Sequence, residues 1–253
     1  MYILTSSIFL IISIIASIEA QGTNSGNETS FDVDTVLKAV GAPACMRRCI
    51  DPFMEKISEM WELEKIVERM SNVCSTYNET LECLDKSPAC DVQSIFKTAT
   101  LSFQKRCVEK ADIYKRMEKC MIGRTDKVMQ KCDSKCFCRS NATAFSSHPS
   151  IQMAAKMGGN IFIVNDHISG LCSCLKCAIP CVTFEMNLQC PLSGWLSLDV
   201  MLQPFDAVSS LLEVLSPEVQ AIIRSKVSDQ CHFAISSKSL KKVREGDFSV
   251  LAN

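Results

Sequence analysis

Four cysteines, Cys172, Cys174, Cys177 and Cys181, lie within the ten residues CSCLKCAIPC, and this spacing allows two kinds of chemistry. Thiolates at such intervals can hold a zinc ion, whereas oxidised cysteines join separate segments of a chain as disulfides. The choice depends on whether the chain meets a reducing or an oxidising compartment. The sequence contains 16 cysteines, an even number, and all of them follow residue 20.

The first twenty residues favour the oxidising compartment. Residues 3–15 form a short apolar block without charge, and the following ASIEA ends at Ala20, the small residue that a signal peptidase requires. We therefore predict a signal peptide over residues 1–20 and a secreted, extracellular product, with an uncleaved anchor as the alternative. A membrane-spanning helix needs about 20 apolar residues, and no later stretch comes closer to that length, so we expect no stable membrane insertion.

Secretion makes disulfides the expected state of the cysteines, because thiols are oxidised outside the cell. The usual two-pair spacing of a zinc site is also missing from CSCLKCAIPC, so we predict no metal and no cofactor. The spacing leaves the pairing of the cysteines open. The residues predicted to form disulfides are Cys45, Cys49, Cys74, Cys83, Cys90, Cys107, Cys120, Cys132, Cys136, Cys138, Cys172, Cys174, Cys177, Cys181, Cys190 and Cys231.

Asn-x-Ser/Thr sequons agree with the secretory route. They occur at Asn27, Asn78 and Asn141, and we predict N-glycosylation at all three. The sequences around Asn78 and Asn141 are polar and lie close to cysteines. We therefore expect both asparagines in loops.

The charge balance excludes one class of partner. The formal net charge is −1 and the pI is about 6.3, so the chain offers no electrostatic footprint for nucleic acid. The exception is local, in SSKSLKKVREGD, where Lys238, Lys241, Lys242 and Arg244 cluster. We interpret residues 236–253 as a basic, solvated C-terminal tail.

The apolar periodicity predicts an all-α fold, a disulfide-braced helical bundle. Glycine is scarce, and in PFMEKISEMWELEKIVERMSNVC apolar side chains recur every three or four residues from Phe53 to Cys74. A second helix is predicted to begin at the cap Asp91 and to continue its apolar stripe through Ile113, Met117 and Cys120. A third is predicted to begin with Ser216 as N-cap and Pro217 in the first helical position.

Cysteine spacing adds a prediction about how the helices are joined. Residues four apart share a helical face, so such a cysteine pair can clamp a helix to its neighbours. Residues two apart cannot share a face, so Cys136–Cys138 and Cys172–Cys174 are predicted at helix ends or turns. The pairs four apart are Cys45 with Cys49, Cys132 with Cys136, and Cys177 with Cys181.

The domain organisation follows from composition. We predict a disordered polar tail over residues 21–35 and a cysteine-rich helical domain over residues 36–235. The polar stretch at 139–149 is a candidate internal boundary, because it separates ten cysteines from six. Two self-contained halves are therefore allowed, and cross-links between the halves remain the alternative.

Two long stretches carry a resemblance to a known family. The chain contains the opening pair CMRRC, the STYNETLEC loop and the stretch LCSCLKCAIPCVTFEMNLQCPLSGWLSLDVMLQPF. Over about residues 45–231 it thereby resembles the nematode chondroitin proteoglycan 4 domain family. The resemblance implies a secreted core protein of an extracellular or eggshell-like matrix, with chondroitin carried on serines of Ser-Gly dipeptides. Ser25 is the candidate attachment site, because Ser169 and Ser193, in the other two dipeptides, have apolar neighbours.

We therefore expect a secreted structural or binding protein with glycosaminoglycan or extracellular matrix components as partners; its oligomeric state stays open. No catalytic motif surrounds His148, His167 or His232, and we predict that the protein is not an enzyme. The alternative function is an extracellular carrier of a lipid or another small apolar ligand. The methionines that could line its cavity are Met54, Met60, Met70, Met117 and Met121.

Overall fold

The computed structural model describes residues 31–41, 44–87, 96–97 and 100–252. Several sequence predictions lie outside these ranges. They are the signal peptide, the possible attachment site Ser25, the sequon at Asn27, the cysteine at position 90 and the helix cap Asp91.

Within the described ranges the chain contains helices and no β-strand, and seven disulfides join them, which confirms the disulfide-braced all-α fold. Short 3₁₀ segments at Met60–Glu62, Asp229–Ile235 and Phe248–Leu251 and a π-helical segment at Gln104–Glu109 accompany the α-helices. The α-helices are α1 (Val33–Ala39), α2 (Ala44–Glu59), α3 (Ile66–Asp85), α4 (Leu101–Phe103), α5 (Ala111–Met121), α6 (Arg124–Cys136), α7 (Cys138–Ser146), α8 (Pro149–Lys156), α9 (Ile161–His167), α10 (Ser169–Gln189), α11 (Ser193–Glu213), α12 (Pro217–Lys226) and α13 (Ser237–Arg244).

Local signals explain many of the helix ends. The predicted start of α12 is confirmed, since the Ser216 hydroxyl accepts a hydrogen bond from the Val219 amide and Pro217 occupies the first helical position. Sharp joints between consecutive helices use a single residue of positive φ. Gly123 separates α5 from α6, and Phe137 separates α6 from α7, as the Cys136–Cys138 spacing predicts.

The helices enclose two apolar cores. The first core lies among α2, α3, α5 and α6, and the aromatic ring of Phe53 packs at its centre against the rings of Tyr77, Phe96 and Phe103 at centroid distances of 5.0–5.8 Å. The second core contains side chains of α1, α7, α8, α9, α12 and α13. Helices α10 and α11 contribute to both cores, with Met186 in the first core and Ile179 in the second.

The helix predicted between Phe53 and Cys74 is interrupted. Its stripe is buried from Phe53 to Val67 and partly buried at Met70 and Cys74. The backbone turns out of the helix after Glu59, and Leu63 and Lys65 adopt positive φ. The cause is a distant carboxylate, because Asp126 on α6 accepts hydrogen bonds from the amides of Lys65 (2.9 Å) and Ile66 (3.1 Å). Asp126 thereby satisfies the free amides at the start of α3 in place of a local cap.

The apolar stripe predicted through Ile113, Met117 and Cys120 is wrong at Ile113, whereas Met117 and Cys120 pack, partly buried, against the first core. Ile113 is exposed, and the buried residues of α5 are Tyr114 and Met121. The π-helical segment at Gln104–Glu109 precedes this helix. A π-helix holds an extra residue in its turn, so it shifts the helical phase and brings Tyr114 to the inner face.

Both predicted tails are shorter than expected. At the amino-terminal side, Phe31 is buried and Asp32 caps α1, so residues 31–35 belong to the fold. At the carboxyl-terminal side, the solvated tail is wrong, because α13 buries Leu240 and Val243 in the second core. The basic residues of α13 lie on its other faces.

The candidate boundary at 139–149 contains α7, whose Ala142 and Phe145 are buried in the second core. Of the polar residues that suggested a linker, Ser140 is exposed, Asn141 and Thr143 are partly buried, and Ser146 is buried. Four disulfides join cysteines before the stretch to cysteines after it. The alternative with cross-links between the halves is therefore the arrangement observed.

Helix α10 is long and apolar enough, by length and composition, to cross a membrane. This corrects the expectation that no stretch after the signal peptide has that character. Inside the fold, the apolar side chains of α10 are used for packing, since Leu171, Leu175 and Ile179 are buried in the second core. Cys172 and Cys174 lie within this helix, so their predicted placement at helix ends is wrong.

Candidate functional site

The CSCLKCAIPC segment lies on α10 and is the point at which the disulfides converge. Three of its cysteines form an antiparallel ladder with α6 and the start of α7: Cys174 pairs with Cys138, Cys177 with Cys136, and Cys181 with Cys132. The pairs Cys132–Cys136 and Cys177–Cys181 thus clamp two helices face to face, as their four-residue spacing predicts.

The fourth cysteine of the segment faces a different neighbour. Cys172 pairs with Cys231 in the 3₁₀ segment before α13. Each of the four sulfurs is therefore in its own disulfide, and none is a thiolate that could coordinate zinc. Among the described residues, no group of His, Cys, Asp and Glu side chains has the arrangement of a metal site.

The remaining disulfides brace the other helices. Cys49 on α2 pairs with Cys83 on α3, and Cys74 on α3 pairs with Cys107 in the π-helical segment. Cys120 at the end of α5 pairs with Cys190 in the turn between α10 and α11. Cys45 is also disulfide-bonded.

The two described sequons lie on helices, which corrects the prediction of loops. Asn78 is exposed near the middle of α3, whereas Asn141 is partly buried on α7 beside Gly170 at the start of α10. The sequon threonine Thr80 is buried, and its hydroxyl contacts the carbonyls of Thr76 and Cys49. The side chain that would accept a glycan at position 78 nevertheless points into solvent.

Two of the Ser-Gly dipeptides lie within the fold. Ser193 is fully buried, and its hydroxyl donates hydrogen bonds to the carbonyls of Met186 (3.0 Å) and Cys190 (2.6 Å). Gly194 has no room for a side chain, because a Cβ there would lie 2.0 Å from the carbonyl oxygen of Thr183. Ser169 is partly buried at the first position of α10.

The three histidines make structural contacts. His148 caps α8 through a hydrogen bond that its Nδ1 accepts from the Ser150 amide, and its ring contacts the His167 ring in a tilted arrangement at a centroid distance of 3.9 Å. Burial and the neighbouring His148 lower the pKa of His167. The Nε2 of His232 contacts the carbonyl oxygens of Arg224 and Val227 at the end of α12.

The first core contains a cavity of about 110 Å³. Of the methionines predicted to line a cavity, Met60, Met70 and Met121 line this one, and Met54 borders a separate open groove of about 650 Å³. Met117 is not in the wall of this cavity. Three further methionines that the sequence pattern did not single out complete the lining. They are Met129 on α6, Met186 on α10 and Met201 on α11.

The wall of this methionine-lined cavity contains the polar residues Ser102, Arg106, Tyr114, Thr125 and Ser197. Arg106 places its guanidinium 4.2 Å from the centre of the Tyr114 ring, and the hydroxyl of the buried Ser102 has no hydrogen-bond partner. Arg106, Tyr114, Met70 and Met121 also border a groove of about 290 Å³ on the outer side. The sequence pattern singled out neither Arg106 nor Ser102. For Arg106 the reason is that the segment FQKRCVEK contains several cations and no motif that distinguishes one of them.

Comparison with known protein families identifies a relationship over most of the chain. The family model of chondroitin proteoglycan 4 matches residues 34–252, which is most of the chain and nearly all of its described part. No significant match was found to a curated protein or to a solved structure. Chondroitin proteoglycan 4 is not a known enzyme family. With its ladder of disulfides between helices, this chain belongs to the chondroitin proteoglycan 4 family.

Proposed function

We propose that this protein is a secreted, non-enzymatic core protein of an extracellular or eggshell-like matrix, acting through structure or binding. Family membership over residues 34–252 is the observation that carries the proposal. The density of disulfides supports it, because such bridges persist in oxidising spaces outside the cell. Glycosaminoglycan or other matrix components are the proposed partners.

The disulfide network suits a structural role. Each bridge in a native protein contributes about 2–4 kcal/mol, mainly by restricting the unfolded chain. The bridges of α10 reach α6, α7 and the segment before α13, so the helices cannot separate without bond cleavage. A body of this kind would keep its shape under the mechanical and proteolytic stress of a matrix.

A chondroitin chain, where one is present, would be attached to Ser25. Ser193 is unsuitable in the folded protein, because its hydroxyl is buried and already hydrogen-bonded. Ser25 is followed by a glycine and lies close to Glu28 in a polar sequence. This arrangement matches the acidic Ser-Gly context that the family resemblance implies.

The test is intact-mass analysis of the full chain after secretion from animal cells. We expect a mass that reflects cleavage after Ala20, glycans at the sequons and a shift on chondroitinase treatment. Ser25→Ala should abolish the chondroitinase shift, while Ser30→Ala in the same stretch should keep it. An unchanged mass after chondroitinase would contradict the attachment of chondroitin, and recovery with the leader intact in cytosol would contradict secretion.

A second candidate function is supported by the methionine-lined cavity. Methionine side chains adapt to ligands of varied shape, so a cavity with six of them suits a small apolar molecule. With about 110 Å³, the cavity is too small for a long lipid chain. We therefore propose the binding of small apolar ligands, for which the test is saturable binding of a short-chain compound by the secreted protein.

A further inference from the structure

We propose that Arg106 and Ser102 recognise the head group of a small amphipathic carboxylate whose apolar chain occupies the methionine-lined cavity. This inference rests on the second function proposed above, the binding of small apolar ligands, and adds the charge that such a ligand carries. The matrix function does not depend on it.

The first observation is an arginine without a carboxylate partner. Among the described residues, no Asp or Glu forms an ion pair with Arg106, whose guanidinium contacts the face of the Tyr114 ring instead. Burial lowers the pKa of Arg106, and the Tyr114 side chain opposes this effect. A partly buried charge of this kind is costly, and a ligand carboxylate would offset the cost.

One acidic side chain of this region is already committed to other cations. Asp199 on α11 accepts from Lys110 at 2.5 Å and from Lys105 at 3.0 Å. Its second oxygen lies 3.6 Å from Arg244 on α13. Asp199 is therefore engaged by these three cations and forms no ion pair with Arg106.

The second observation is an unused hydroxyl on the same wall. Ser102 is only 7% exposed, lines the cavity, and its Oγ makes no hydrogen bond. Arg106 lines the same cavity. Because a carboxylate has two acceptor oxygens, it can take one hydrogen bond from the hydroxyl and others from the guanidinium.

The rest of the cavity sets the length of the apolar part. Apart from these groups its wall is dominated by methionines and by Ile66, Phe103, Val182 and Val200. A dry cavity of about 150 Å³ can hold the six carbons of a benzene molecule, so about 110 Å³ suits a chain of roughly four or five carbons. The groove that shares Arg106 and Tyr114 gives such a ligand a route to the site.

The experiment compares two ligands that differ in the head group. The secreted, fully oxidised protein is titrated with sodium hexanoate and with 1-hexanol in a calorimeter. We expect hexanoate to bind about ten-fold more tightly than hexanol, the advantage expected of a charge-assisted hydrogen-bonded pair. Arg106→Gln should remove this advantage, whereas Arg116→Gln, at an exposed position of α5, should retain it.

Each outcome decides between the two ligand proposals. Equal affinity for hexanoate and hexanol would overturn the role of Arg106 and leave the apolar cavity as a binding site. Failure of both ligands to bind would overturn both ligand proposals. If Arg116→Gln lost hexanoate binding in the same way as Arg106→Gln, the assignment to Arg106 would be overturned. If Arg106→Gln is not secreted, Ser102→Ala provides the test. We expect it to bind hexanoate about three-fold more weakly and hexanol with unchanged affinity. An unchanged affinity for hexanoate would overturn the proposed site.

Discussion

The two cores of this protein differ in the shape of their side chains. The first core and the residues packed on it contain nine methionines, including Met46, Met121 and Met186, while the described residues of the second core contain none. The second core instead uses branched aliphatic and aromatic side chains such as Ile151, Ile179 and Phe205. The methionine-lined cavity lies in the first core.

This difference indicates a division of roles within one covalently joined body. Branched side chains have few rotamers and pack closely, so they specify one rigid arrangement. Unbranched methionines fill irregular space and can shift around a guest molecule. Helix α10 contributes to both cores, with Ile179 in the rigid second core and Met186 in the adaptable first core. The comparison predicts that equal chemical changes will have unequal effects in the two cores.

The largest effects are expected from removal of disulfides. Cys172–Cys231 in the second core and Cys120–Cys190 beside the first core enclose loops of similar length, with sequence separations of 59 and 70. Chain entropy alone therefore predicts that removal of either disulfide lowers the free energy of unfolding by nearly the same amount, about 2–5 kcal/mol. We expect the Cys172→Ala/Cys231→Ala variant to lose more, because both of its cysteines are fully buried in close packing. Guanidinium denaturation of the two double variants measures the difference, and a larger loss for Cys120→Ala/Cys190→Ala would contradict the contrast.

A smaller contrast is expected from two truncations on the same helix. Ile179 and Met186 are both 1% exposed on α10, one in each core. Truncation of a buried Ile or Met to Ala costs about 2–5 kcal/mol, depending on how far the surroundings collapse into the space. Ile179→Ala should lie at the upper end of this range and Met186→Ala at the lower end. Equal denaturation midpoints for the two variants would show that the first core is as rigid as the second.

Two buried serines provide the next comparison. The Ser146 hydroxyl, beside the second core, accepts a hydrogen bond from the Asp32 amide and donates one to the Thr143 carbonyl, both at 3.2 Å. Ser146→Ala should therefore destabilise the protein by about 1 kcal/mol. Ser102→Ala removes a hydroxyl with no partner, so the free energy of unfolding should stay the same or rise. A clear loss of stability in Ser102→Ala, seen by thermal or chemical denaturation, would mean that its hydroxyl is satisfied in solution.

Much of the fold could be predicted from local sequence patterns. The all-helical class, the start at Ser216 and the paired use of Cys132 and Cys136 follow from periodicity and capping rules, which act over one or two helical turns. The break before Ile66 could not be predicted in this way, because the carboxylate that caps α3 is Asp126, 60 residues away in sequence. The phase shift before Tyr114 arises from a π-helical segment that no local rule identifies.

The candidate ligand site was less predictable than the disulfides. Cysteine spacing carries information because both partners are conspicuous, even where their pairing is open. Arg106 is distinguished from its neighbours Lys105 and Lys110 only by what surrounds it, since Asp199 pairs with the two lysines and leaves the arginine without an acid. Such a property depends on packing between α11 and the π-helical segment, which the sequence pattern does not describe.

The smallest effect is expected at Asp199, where elements of the two cores meet. Burial alone would raise the pKa of Asp199, but hydrogen bonds from Lys110 and Lys105 hold it below its ordinary value. A carboxyl whose pKa is lower in the folded state stabilises the protein above its unfolded pKa of about 4, and the contribution is lost as the pH falls through the folded value.

Asp199→Asn should therefore cost about 1 kcal/mol or less at pH 7 and reduce the loss of stability on acidification below about pH 4. Denaturation midpoints between pH 7 and 3 provide the measurement, with Glu213→Gln at an exposed position as the control. The same acid sensitivity in Asp199→Asn as in the unaltered protein would mean that this carboxylate does not hold α11 to both Lys110 and Arg244, and the two cores would then be joined there by packing and disulfides alone.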